Sequence, residues 1–77
     1  MTVEMKLRDI LDVYSDHVAM LDSKARLDRE AIMERSNEYS RTELTQLILT
    51  VNMDYAQALN ARQNRAIQSI LNAVKGE

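Results

Sequence analysis

The sequence predicts an all-α protein, an antiparallel hairpin of two long helices that completes a bundle with a second copy or a partner protein. Three observations predict it. The chain holds no proline, and its single glycine is Gly76, which argues against strands and tight turns. Apolar residues recur at steps of three and four through two long segments, the spacing of one helix face. Between those segments, Ser36-Asn37-Glu38-Tyr39 gathers turn and cap formers just ahead of a full helix start signal.

The first helix is expected over residues 2 to 35. Thr2 is placed to cap it, and Glu4 suits the positive end of its dipole. Leu7, Leu11, Tyr14, Val18, Leu21, Ala25 and Ile32 form its main face, with Asp28 in one of the apolar slots. Steps of four and three are those of a left-handed helix pair. A second apolar row, Val13, Met20, Leu27 and Ala31, lies well round the helix from the first. Asp22-Ser23 could break the helix, since both residues favour caps. The periodic pattern runs through them, so one helix is expected.

The connection is residues 36 to 39, and the second helix runs over residues 40 to 75. Ser40 and Glu43 have the spacing of a capping box, and Tyr39 with Leu44 fits a hydrophobic staple. Lys75 suits the negative end, and Gly76 can take a left-handed cap. Leu44, Leu47, Ile48, Val51, Tyr55, Ala58, Leu59, Ala66 and Ile70 share one broad face, expected to be buried. Leu49, Met53, Ala56, Ile67, Leu71 and Val74 form a second row.

A connection this short makes the helices antiparallel neighbours. With the turn near residue 38, Asp9, Asp12 and Asp16 are expected opposite Arg62 and Arg65, and Arg26 and Arg29 near Asp54. Each helix covers only one face of the other, so the second rows stay in water. Large contiguous apolar patches are rare on soluble monomers. The expected interface residues are therefore Val13, Met20, Leu27, Leu49, Met53, Ala56, Ile67, Leu71 and Val74. The partner is a helical segment of another protein or the chain itself as a homodimer. A monomer with its first helix folded back in two pieces would cover the same rows.

Composition excludes several function classes. A chain of 77 residues is one small domain. The net charge of −2 comes without a basic stripe, so no nucleic-acid role is expected. Charges are scattered through the first sixteen residues and no long apolar run follows, so neither a signal peptide nor a membrane span is expected. Zero cysteines exclude disulfides and cysteine metal sites.

No constellation carries catalysis. His17 is the lone histidine; it reads as a boundary residue more readily than as a pH switch, and a metal site would need further converging ligands. Asp12 and Asp16 sit one turn apart on the wet strip, where a solvated face opposite Arg62 or Arg65 is the simpler reading. The serines lack a neighbouring base. Two helices leave no room for a ligand pocket, so no enzyme activity, cofactor or small-molecule substrate is expected. Met20 and Met53 fall on the second rows, where adaptable thioethers suit either a partner surface or gap filling. The polar run Asn60-Ala61-Arg62-Gln63-Asn64-Arg65 interrupts the main face and suits register setting or a polar partner segment.

In the second helix, Leu44, Leu47, Asn52, Ala58-Leu59, Asn64-Arg65-Ala66-Ile67 and Ile70-Leu71 together resemble the C-terminal helix of small chaperones of type III export, flagellar and injectisome. The resemblance spans residues 44–71 and leaves residues 1–36 unmatched. It implies a cytoplasmic, non-enzymatic, cofactor-free helical protein that masks an amphipathic helix of an export substrate. The expected role is a protein-binding module, to which the resemblance gives the form of an export chaperone or co-chaperone. The alternative is a homodimeric four-helix bundle serving as scaffold or small regulator.

Overall fold

The computed structural model describes residues 2–76. Helix α1 spans Val3–Glu34, a short 3-10 turn spans Ser36–Glu38, and helix α2 spans Arg41–Lys75. The two helices pack along their length as a hairpin with Cα extents of 57 × 15 × 8 Å. Among the described residues there is no strand.

Local chemistry sets each boundary. Thr2 Oγ1 accepts from the Met5 amide at 3.1 Å, which satisfies one of the free donors of the first turn. The box at the start of α2 is complete. Ser40 Oγ accepts from the Glu43 amide at 3.1 Å, and Glu43 Oε1 accepts from the Ser40 amide at 2.9 Å. Both bonds to Ser40, the backbone one foremost, hold the Glu43 carboxyl below its ordinary pKa. Between the helices, Arg35 Nε donates to Glu38 Oε2 at 2.8 Å and braces the 3-10 turn.

One terminal detail differs from expectation. Gly76 is right-handed, with φ −69 and ψ −7, and its amide donates to the Asn72 carbonyl at 3.0 Å. The chain continues the helical path for one residue, so no left-handed cap is needed. Tyr39 and Leu44 are both half-buried, and Tyr39 lines a shallow depression with Glu43 and Leu47.

Helix α1 runs unbroken through Asp22 and Ser23. The Tyr55 hydroxyl donates to Asp22 Oδ1 across the hairpin. That bond engages the Asp22 carboxylate across the seam rather than as a local helix cap. The fold-back alternative is therefore not adopted.

The seam between the helices differs from the expected one at one place. Leu11 is 54% exposed, while Ile10 and His17 are half-buried. A straight helix allows the step from Leu7 to Tyr14 to pass through residue 10 or residue 11. Packing against α2 selects Ile10, which lines a groove with Arg62 and Ala66. The nine residues assigned to the main face of α2 are all half-buried rather than buried. Among the described residues, Ala25 alone is fully buried, at 5% exposure. Two cylinders touch along a line, and this leaves every large side chain partly wet.

The surface area measures this deficit. The chain exposes 6078 Å², whereas a compact monomer of 8.9 kDa exposes about 4,800 Å². The radius of gyration is 17.5 Å, against about 11.5 Å for a compact domain of this length. The hairpin has the proportions of a bundle fragment.

Candidate protein-interaction surface

Of the three acids expected opposite Arg62 and Arg65, Asp9 lines a groove with them, and Asp12 and Asp16 do not. Asp9, Ile10, Val13, Tyr14 and His17 of α1 face Arg62, Arg65, Ala66 and Ser69 of α2 across a groove of about 360 Å³. The acidic and basic side chains share this groove, but among the described residues no ion pair joins the two helices; the three pairs present are Glu4–Arg8, Lys24–Asp28 and Arg35–Glu38. The expectation of no concavity was too strict. The groove has only two helical walls and lies open along its length, because no third helix roofs it.

Asp54 is placed differently from expectation. It lines a second groove with Lys24 and Asp28, not a site with Arg26 and Arg29. Arg29 Nη1 instead donates to Asn52 Oδ1 at 2.9 Å. Lys24 donates to Asp28 Oδ2 at 2.7 Å, and that hydrogen bond, with the charges of Asp28 and Asp54, raises its pKa. Residues 52 and 54 lie about 200° apart on a helix. The Arg29–Asn52 bond and the Lys24–Asp54 groove therefore mark opposite sides of the hairpin.

Those two markers locate the apolar rows. All nine expected interface residues are exposed, with Met20 at 68% and Met53 at 61%. On α1, Met20 and Leu27 lie four and three residues from Lys24, and Val13 lines the groove with His17. The α1 row thus sits on the Lys24–Asp54 side. On α2, Leu49 and Ala56 lie three and four residues from Asn52, on the side where Asn52 meets Arg29. Ile67 and Val74 continue that row, while Met53 and Leu71 lie on the back of α2, away from α1. The rows belong to separate surfaces, and one partner helix cannot cover both. Sequence periodicity shows each row, but only the packing of the two helices shows their sides.

Leu11 and Met33, at 54% and 57% exposure, add to the α2 side. Periodicity alone sets Leu11 in the seam and Met33 in neither row, so spacing does not mark them as surface anchors.

No group of three or more His, Asp or Glu side chains among the described residues is placed to hold a metal ion. Among the described residues no helix is long and apolar enough to cross a membrane. Asp12 and Asp16 are exposed on α1. No family model, curated protein or solved structure matches this chain.

Proposed function

We propose that this chain is a non-enzymatic protein-interaction module that finishes its hydrophobic core by packing against helices from outside the hairpin. One observation carries the reading. The hairpin leaves about 1,300 Å² more surface in water than a compact monomer of its mass, and exposed apolar side chains line both helices. A standard interface removes about 800 Å² per partner, so the excess matches one or two docking events. The mode is helix-against-helix packing, with anchors at steps of three and four.

The α1 row suits an amphipathic helix of a different protein. Val13, Met20 and Leu27 form a narrow stripe with Asp16 and Lys24 exposed on either side of it, an apolar centre with a charged rim. The flexible Met20 side chain, 68% exposed, suits a surface that adapts to its ligand. The resemblance of residues 44–71 to small type III export chaperones gives this module a particular form: a cytoplasmic factor that shields an export substrate's amphipathic helix.

A photo-cross-linking residue at Met20, compared with one at the polar position Glu30, tests the reading in the native host. A protein joined at Met20 and not at Glu30 is then purified and mixed with the chain. Binding that is lost in Leu27→Asp supports the proposal. Equal labelling at both positions, from a chain that is fully folded and monomeric when dilute, overturns it.

A further inference from the structure

We infer that the outer face of α2 is closed by α2 of a second copy of this chain, running antiparallel. The inference rests on the reading that the hairpin completes its core from outside, and it names the occupant of one of the two surfaces.

The first observation is charge. Between Leu44 and Val74 the charged residues are Asp54, Arg62 and Arg65, and all three line the grooves against α1. The outer face of α2 therefore carries no charge from Leu44 to Val74. The exposed surface of α1 is different, with Arg8, Asp12, Asp16, Arg26 and Glu30 in water. A solvated helix face without charge is unusual, whereas depletion of charge marks the centre of an interface.

The second observation is spacing. Leu49, Met53, Ala56, Asn60, Gln63, Ile67, Ile70 and Val74 follow one another at steps of four, three, four, three, four, three and four. This is a second heptad seam along α2, exposed at every position except Ile70, which is half-buried at the edge toward α1. Its steps read the same in both directions. An antiparallel copy therefore sets Leu49 against Val74, Met53 against Ile70, Ala56 against Ile67, and Asn60 against Gln63. A small residue meets a large one, and the two amides meet at the dyad, where they can bond each other. A two-fold interface needs such self-complementarity; a helix from a different protein does not. Amides inside an apolar seam fix register at a cost in stability. That gives Asn60 and Gln63 a role which their interruption of the apolar pattern otherwise lacks.

The test uses the absence of native cysteine. Ala56→Cys and Ile67→Cys chains are made separately, with helicity checked by circular dichroism, then oxidised alone and as an equal mixture. In the antiparallel pairing, two copies of either variant hold their cysteines about 16 Å apart along the axis, beyond disulfide reach. The expected result is a covalent dimer in the mixture alone, well above the background set by mixing Ala56→Cys with Glu30→Cys. Light scattering of the unaltered chain should give twice 8.9 kDa. A self-linked Ala56→Cys dimer means parallel pairing and overturns the inference. A dimer whose mixture stays unlinked overturns it too. A monomer up to millimolar concentration also overturns it, while the Met20 cross-link still reports independently on docking of a different helix at α1.

Discussion

The Tyr55 hydroxyl on α2 donates to the Asp22 carboxylate on α1, at the point where the sequence invites a break in the first helix. The bond is available only to the protonated phenol, and it raises the Tyr55 pKa above the ordinary 10.0. The sign follows directly. Its contribution to stability is present in full below pH 10 and is lost as pH rises through the raised folded value. Urea midpoints measured from pH 8 to 12 should fall at the alkaline end. Tyr55→Phe should start lower and lose part of that dependence. Identical alkaline profiles for the two chains would show that the bond does not contribute.

The capping box has the opposite pH signature. Glu43 is held below its ordinary 4.5, so its contribution is present above that value and is lost as pH falls through the lowered one. Ser40→Ala should cost about 1 kcal/mol, read as a lower thermal midpoint. Glu43→Gln keeps an acceptor for the Ser40 amide and should flatten the acid limb while retaining most of the neutral-pH stability.

Ala25 is the place where the helices come closest to excluding water, between Leu21 of α1 and Val51, Tyr55 and Ala58 of α2. Ala25→Leu should force the axes apart and cost about 1–3 kcal/mol. A thermal midpoint that rises instead would show that the second groove has spare volume for the longer side chain.

Leu71→Asp places a charge on the uncharged back of α2, where Leu71 is 45% exposed. Self-association should be lost. If the hairpin holds together alone, helicity by circular dichroism should largely survive; if the assembly is the core, it should collapse with the dimer. Unchanged mass in light scattering would remove Leu71 from the interface.

Asn60→Leu replaces one of the central amides in the outer seam by an apolar anchor. The assembly should become more stable, with a raised thermal midpoint, and less unique in register. Oxidation of cysteine pairs other than Ala56 with Ile67 should then appear. A lower midpoint would mean that Asn60 faces solvent or bonds within its own chain.

Much of this architecture could be read from residues. The Ser40–Glu43 box placed the start of α2, and the four-residue connection placed Asp9 opposite Arg62 and Arg65. The misreadings share one physical cause. Periodicity reports which residues share a face but not the rotation of that face about its neighbour. Leu11 and Ile10 satisfy the pattern equally, and only contact with α2 chooses between them. For the same reason Arg29 was expected beside Asp54 and is found on Asn52. The sidedness of the apolar rows was hidden likewise. Each row is visible in one helix, but their relation exists only once the helices pack.

The hairpin connection has a mechanical consequence. Contacts between α1 and α2 join residues at similar distances from Glu38, and Thr2 and Lys75 lie together at the end remote from the turn. A force applied at these two positions pulls across the seam, not along it. It loads one layer of side chains at a time, starting near Leu7 and Ile70 and ending near Ile32 and Leu44. Such a structure peels at low force and re-closes from the turn, where the braced Arg35–Glu38 pair and the Ser40 cap hold the start of the path.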